Sequence, residues 1–417
     1  MIRKNQQIAD ALTTADLWKI MRKRVPPIVS EYFRGGADCE TTSRANVRAF
    51  QQAMTTAYGA LKFSSIDFST KTVGHSMAVP WYISPVGSLR TLYPMADAIA
   101  SQVAGEFGTV MGQSTLSGTP MESVTKASDG QCWYQLYLCG GRDTALRSIE
   151  RAKKAGFTAL ILTIDTGVSG LRALHARMKP MQSTGSFGGL GLSDRLELAA
   201  RKVMLAPQML PRLPWLLSYF QDGGLMEFVN IIDEKGQPMP YADIGAQLGA
   251  SAVTWDDLKW VKEAWGDNPL IVKGVHCAYD ARKAEEMGAS GVIWSNHGGR
   301  QQDRVPPTLH IVAQEMPLVG DTQLDFMMDG GIRNGTDILI ALSYGLKAVG
   351  IGRVTAAGLG AGGHEGLTRA FEILKSDLDR AMRLVGVQSV AEIHARGAEL
   401  RRESQLHGDG HLPPVVF

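Results

Sequence analysis

About eight short apolar, β-rich runs recur along this 417-residue chain, each ending in a polar residue or a glycine. They are Trp81–Val86, Thr109–Ser114, Cys132–Tyr137, Ala159–Asp165, Leu270–Val275, Gly291–Asn296, Asp325–Asp329 and Ala348–Gly352. Continuous apolar runs of this kind read as strands of a parallel sheet buried on both faces. Helix-like segments separate most of them. Thr144–Ala155 carries Ala145, Leu146, Ile149 and Ala152 at helical spacing, while Ala278–Met287 and Thr336–Tyr344 run into Gly288 and Gly345, which read as C-caps. Strand, helix, glycine, strand is the pattern of repeated βαβ units. An open doubly wound sheet would place a G-x-G-x-x-G turn after its first strand, and Gly87-Ser-Leu-Arg stands there instead. The expected fold is therefore α/β, a TIM (β/α)8 barrel.

The spacing divides the chain further. Residues 1–75 read as a helical N-terminal region packing on the barrel, 76–393 as the barrel, and 394–417 as a C-terminal tail. The connection from Thr166 to Pro269 is far longer than a compact domain needs, which predicts an insertion after strand 4 at about 175–255. It contains the Gly-rich Ser186–Gly191 and an apolar stretch, Val203–Phe220, that Pro207, Pro211 and Pro214 break, making it a poor membrane span. A lid over the active face, an oligomer contact and a membrane-surface contact are the roles it suits.

Charge and cysteine content exclude other classes. A net charge of +2 lacks the basic field of a nucleic-acid binder. Cys39, Cys132, Cys139 and Cys277 form no C-x-x-C pair, so neither a metal site nor a redox dithiol is indicated. Free thiols and an N-terminus without an apolar signal core fit a cytoplasmic protein, peripheral at the inner face of a membrane if the insertion makes such a contact.

In a TIM barrel, polar residues at the C-terminal ends of strands face the active site. Gly291–Trp294 runs into Ser295-Asn296-His297-Gly298-Gly299-Arg300-Gln301. A histidine there suits a general base near neutral pH, and an arginine clamps a carboxylate through two parallel hydrogen bonds. A lone histidine is more often structural, but a strand end, paired glycines and an arginine coincide here. Asp165 ends another strand and suits an orienting partner for His297, with helix capping as the bland alternative. Arg172 offers a second cation or an ordinary loop arginine. Lys273 lies inside an apolar strand, where lysine is costly without an anion or a developing negative charge; a Schiff-base lysine is the alternative. Asp329-Gly330-Gly331-Ile332-Arg333 and Gly350-Ile351-Gly352-Arg353 end the last two strands, where barrels commonly bind phosphate through backbone N–H groups and guanidinium donors. Tyr32 and Tyr137 have phenols suited to a carboxylate or hydroxyl, although each alone reads as a packed aromatic.

Together these motifs resemble the FMN-dependent 2-hydroxy-acid oxidase and dehydrogenase family, which includes glycolate oxidase, L-lactate dehydrogenase and mandelate dehydrogenase. The match runs from about Glu31 to about Ile393, with Ser295–Gln301 the most specific motif and Gln135-Leu136-Tyr137, Leu162–Thr166, Val272-Lys273-Gly274, Asp329–Arg333 and Ile351-Gly352-Arg353 in the expected order. The resemblance implies FMN and a small 2-hydroxy acid as partners. It implies His297 as base with Asp165 behind it, Arg172 and Arg300 as the carboxylate clamp assisted by Tyr32 and Tyr137, and Lys273 beside the flavin pyrimidine edge. Pro85, Val86 and Gly87 would line the ring, with Ser114, Gln135 and Thr163 as ring contacts. Ser295, Asp329, Gly331, Arg333, Gly352 and Arg353 complete the cofactor set, the arginines on its phosphate. Homotetramers are frequent in similar proteins, and some bind membranes through the same insertion.

The chain departs from the family pattern in places. Leu116 stands where many members have a bulky aromatic, and Gly167-Val168 and Leu171 make the loop after strand 4 less basic. These changes point to a substrate larger or less common than lactate. Gly87, where several oxidases have alanine, points to a dehydrogenase passing electrons to a quinone or cytochrome. An oxygen-dependent oxidase or monooxygenase and an FMN barrel isomerase are the competing readings.

Overall fold

Alternate residues along the eight apolar runs enter two different cores. Tyr82, Trp133, Ile161, Ile271, Ile293 and Met327 meet in one fully buried cluster. Their chain neighbours Trp81, Cys132, Leu160, Leu270, Val292 and Met328 belong to a second. Both faces of every strand are thus apolar, and a rolled parallel sheet wrapped in helices satisfies both. The computed structural model describes residues 2–173, 209–239, 247–248 and 252–402, and has this architecture. Strands β1 (Trp81–Ile83), β2 (Val110–Ser114), β3 (Gln131–Leu136), β4 (Ala159–Thr163), β5 (Leu270–Val275), β6 (Gly291–Trp294), β7 (Asp325–Asp329) and β8 (Ala348–Ile351) close a barrel in sequential order. Its pairings are parallel, with Thr163 of β4 opposite Lys273 of β5 across the long insertion. The expected TIM barrel is the fold of the protein.

One end is sealed. The hairpin of Thr70–Thr72 and His75–Met77 sends Val73 and Met77 into the inner cluster, and Trp133 Nε1 donates to His75 Nδ1 at 3.2 Å. The other end, where the strands finish, remains for chemistry.

After the short helix Ile2–Ala9, three further N-terminal helices, Thr14–Arg24, Pro27–Arg34 and Thr41–Gln52, pack on the barrel. The first of these three begins in a reciprocal cap between Thr13 and Asp16 and lies against the Arg353–Gly362 helix, where a Cβ on Gly360 would meet Met21 Cγ at 2.2 Å. The chain end is less loose than a tail: the Val390–Arg396 helix crosses residue 394, and Arg401–Arg402 pairs antiparallel with Met54–Thr55. Residues 403–417 lie outside the described part.

Of the insertion, the helix Leu213–Gln221 and the strand pair Phe228–Ile232 with Pro238–Met239 are described. Asn230 fastens this pair to the barrel, its side chain accepting from Met121 N at 3.0 Å and donating to Thr119 O at 3.1 Å. The helix Trp255–Trp265 then restores the barrel's outer layer. The Gly-rich Ser186–Gly191, and with it most of the segment read as a lid, lies outside the described residues. Pro214 sits in the first turn of its helix, where the missing N–H costs nothing. Among the described residues no helix is long and apolar enough to cross a membrane.

Candidate active site

β6 ends in a turn that few sequences tolerate. His297, Gly298 and Gly299 all lie in the left-handed region, with φ of 57°, 64° and 72°. Two glycines make this cheap, but a left-handed histidine is strained and persists only where its surroundings fix it. His297 N donates to Ser295 Oγ at 3.0 Å. The turn aims the imidazole at the end of β4, where its Nδ1 meets Asp165 Oδ1 at 2.9 Å and Oδ2 at 3.1 Å. Nε2 faces the Tyr137 hydroxyl at 3.4 Å.

Gly274 fixes the far side of this pair. Its φ is 96°, and a Cβ there would stand 2.7 Å from both Cβ and Cγ of Asp165. Burial pushes the His297 pKa below its ordinary 6.5, and Lys273 adds to this against the opposing pull of Asp165. Burial also raises the cost of a charge on Asp165, but His297 and Lys273 outweigh it and hold the carboxyl below its usual range. The result is a neutral imidazole backed by an ionised carboxylate.

Two guanidinium groups stand beside it. Arg300 and Arg172 flank the Tyr32 ring at 5.1 Å and 5.4 Å from its centroid. Arg300 Nη1 donates to the carbonyls of Tyr32, Phe33 and Gly35. Burial and the neighbouring Arg172 push the Arg300 pKa down to about 9. Burial alone would raise the Tyr32 phenol, but the two cations prevail and lower it. Arg172 Nε is buried without a hydrogen-bond partner among the described residues. Two cations held together so far from water make a site that favours an anion.

A second cation group lies at the ends of β7 and β8. Arg353 is pushed down to about 9 by burial and by Arg333, which burial itself lowers to about 10. Arg353 donates to the carbonyls of Phe33, Arg34, Gly35 and Gly298 and to Ser43 Oγ. Gly352 caps the Arg353–Gly362 helix, whose first N–H groups therefore sit beside these arginines.

Between the two cationic ends runs a cavity of about 1070 Å³, counted to its open mouth. Pro85, Val86, Gly87, Ser114 and Lys273 form its walls, with Tyr32, Tyr137, Arg172, His297 and Arg300 at one end and Asp329, Gly331, Arg333, Gly352 and Arg353 at the other. Ser84 Oγ lies in this wall, buried and without a partner among the described residues. Lys273 is 4% exposed, bonded to Ser295 Oγ at 3.0 Å and 3.4 Å from Asp329. A flat wall of backbone and small side chains, a buried lysine and a two-arginine cradle at a helix start fit a flavin carrying a phosphate.

Four expected residues do not line the cavity. Gln135 and Thr163 lie beneath its wall, linked to Ser114 through bonds of 2.9 Å and 3.1 Å, and Ser295 and Asp165 stand behind Lys273 and His297. The sequence reading missed Ser84, Ser169 and Leu248, which do line it. Leu248 arrives from the insertion, where no periodic pattern announces which residue returns to the barrel mouth.

Comparison with known proteins adds an independent finding. A family model described as FMN-dependent dehydrogenase matches residues 21–399. An L-lactate dehydrogenase of Chromohalobacter salexigens is 31% identical, over 89% of this chain and 91% of its own length. A 2-hydroxyacid oxidase of Dictyostelium discoideum is 29% identical over 94% and 91%. Among solved structures, the monotopic membrane protein (S)-mandelate dehydrogenase superposes with a TM-score of 0.81 at 28% identity, covering 94% of this chain and all of that one. Taken with a cavity whose lining fits a flavin phosphate, these matches establish that the chain belongs to the FMN-dependent dehydrogenase family, oxidoreductases that act on 2-hydroxy acids.

Proposed function

We propose that this enzyme oxidises an L-2-hydroxy acid to its 2-oxo acid, with His297 as the base and Arg172 and Arg300 as the carboxylate clamp. The observation that carries this reading is the convergence of a carboxylate-backed neutral imidazole and two buried guanidinium groups at one mouth of the barrel. The substrate must lose two electrons and two protons. FMN, when bound, would accept both electrons and the second proton, the first going to His297. Arg172 and Arg300 hold the carboxylate, so the hydroxyl-bearing carbon is delivered beside His297. His297 accepts one proton at Nε2, because Nδ1 already donates to Asp165 and the ring is neutral. Asp165 then stabilises the resulting imidazolium. The Tyr137 phenol stays protonated, because burial and then Asp165 raise its pKa well above the usual range, so it serves as a hydrogen-bond donor. Lys273, in the cavity wall, would hold positive charge toward FMN as it gains electrons.

Two further assignments rest on particular residues. Leu116 and Leu248 line the mouth of the cavity, which suits a 2-hydroxy acid with an apolar side chain. The helix Leu213–Gln221 exposes Leu213, Leu217 and Phe220 to 47%, 62% and 62%, an apolar face suited to a membrane surface. A membrane-borne quinone is then the natural electron acceptor, and Gly87 supports a dehydrogenase over an oxidase.

The test is anaerobic mixing of the purified flavoprotein with a panel of 2-hydroxy acids. Substrates bleach the flavin absorbance. His297→Ala is expected to stay yellow and to slow bleaching by at least about a hundredfold. Bleaching at the unchanged rate would remove His297 from the mechanism, and oxygen uptake matching turnover would replace the dehydrogenase by an oxidase.

A further inference from the structure

His297 stands in a left-handed conformation, and the residue before it explains how. Asn296 is 2% exposed, and its side chain forms a reciprocal amide pair with Asn46, itself 1% exposed, on the Thr41–Gln52 helix. Asn46 Nδ2 donates to Asn296 Oδ1 at 2.8 Å, and Asn296 Nδ2 donates to Asn46 Oδ1 at 2.9 Å. The same atoms reach both sides of the catalytic turn. Asn296 Oδ1 also accepts from Gly299 N at 3.1 Å, while Asn296 Nδ2 donates to Pro306 O at 3.0 Å. Asn46 Oδ1 also accepts from Thr308 N at 2.9 Å.

We infer that Asn46 is a positioning residue for His297: through Asn296 it holds the left-handed turn that aims the imidazole. Without Asn46, the Asn296 side chain would keep only its bonds to Pro306 O and Gly299 N and lose the other two that fix its amide. With Asn46 opposite, neither amide can turn without leaving buried donors and acceptors unpaired, which is costly away from water. The backbone strain at His297 is thereby opposed by a buried network anchored on a separate helix. The helix is itself seated at the turn. A Cβ on Gly299 would meet Ser43 N at 2.5 Å, and one on Gly331 would meet Asn46 O at 2.5 Å. The N-terminal region therefore does more than cover the barrel. It sets the register of the loop that carries the base.

This inference rests on His297 being the base, and the experiment separates the two. Anaerobic flavin reduction is followed in Asn46→Leu, which matches the size of asparagine without its polar atoms, and in the milder Asn46→Ser. Each is measured alone and in the His297→Ala background, with the dissociation constant of the 2-oxo acid product measured by equilibrium dialysis. The expected result is slowing of reduction by about ten- to a hundredfold in the otherwise native protein, with FMN retained. Product affinity should change by less than about threefold, and Asn46→Leu should add almost nothing once His297 is gone, as coupled residues behave. If His297→Ala is itself as fast as the native protein, the base assignment fails and this inference with it. If His297→Ala is slow but Asn46→Leu costs the same factor in both backgrounds, or weakens product binding as much as it slows reduction, the positioning role is overturned and the base assignment survives. Loss of FMN from both Asn46 variants would also overturn it, because the amide pair would then hold the fold as a whole.

Discussion

His297 Nδ1 lies 2.9 Å from Asp165 Oδ1, so the ends of β6 and β4 meet through one hydrogen bond across the barrel mouth. In the proposed reaction the contact does two things: it fixes the proton on Nδ1, leaving Nε2 as the acceptor, and it places a negative charge behind the ring for the moment a proton arrives. Asp165→Asn keeps the shape and removes the charge. We expect kcat to fall by at least about a hundredfold with KM changed far less, since the carboxylate contacts His297 and does not line the cavity. Steady-state kinetics on the bleaching substrate decide it, and a kcat within a few-fold of native would show that Asp165 has no part in proton transfer.

The pH profile follows from the same pair. His297 titrates below 6.5, lowered by burial and by Lys273. On the proposed role its neutral form is the active one, so kcat/KM should be level above this value and fall as pH drops through the lowered pKa. Asp165 favours the imidazolium, so its removal lowers the pKa further and moves the acid limb of Asp165→Asn to still lower pH. The sign is the test: a limb that moves to higher pH in Asp165→Asn would mean that a different group controls the profile.

Much of this site could be read before the fold was known, and the reason is local. Asp165, His297 and Arg333 lie just beyond strand ends and Lys273 inside an apolar strand, and in a parallel barrel the C-terminal ends of all strands face one mouth. All eight runs became barrel strands, each ending within a few residues of its expected limit. Asn46 shows what is not legible. It stands among Thr42, Val47, Ala49 and Phe50 on the buried stripe of its helix, so the sequence offers an asparagine in a core position but not the residue 250 positions away that pairs with it. Ser169 reaches the cavity from the loop after β4 and Leu248 from the insertion, and no periodic pattern in the sequence marks either as facing it. The chain end misleads in the opposite way. Arg401 and Arg402 look like tail and instead pair with Met54–Thr55, because two-residue pairings leave no pattern.

Arg333 gives a prediction about the cofactor itself. It is buried at the cationic end of the cavity, where Arg353 and the start of a helix also lie. If this end holds the phosphate, Arg333→Met should weaken FMN binding by at least about tenfold, the loss expected for a charge-assisted hydrogen bond. Riboflavin, which has the same ring and no phosphate, should bind the variant and the native protein alike. Equal weakening for both ligands would place the phosphate elsewhere.

Among the described residues the insertion helix is fastened on one side only. Trp215 Nε1 donates to Thr91 O at 2.9 Å, and Asp222 accepts from Arg90 Nε at 2.8 Å, so this face is tied to the loop that follows Gly87. Leu217 and Phe220 lie on the exposed side, with Leu210 and Leu225 exposed nearby at 64% and 85%. The exposed Arg22 and Lys23 are adjacent, because Arg212 donates to the carbonyls of Arg22 and Val25. Apolar side chains rimmed by cations suit an anionic lipid surface, with the charged part of the attraction screened by salt. The native protein should cosediment with phosphatidylglycerol vesicles at low salt, and much less with phosphatidylcholine. Leu217→Ser/Phe220→Ser should abolish this while leaving flavin reduction by substrate and the melting temperature nearly unchanged, because exposed positions contribute little to folding. Cosedimentation that survives the double substitution would move the membrane contact to another face of the molecule.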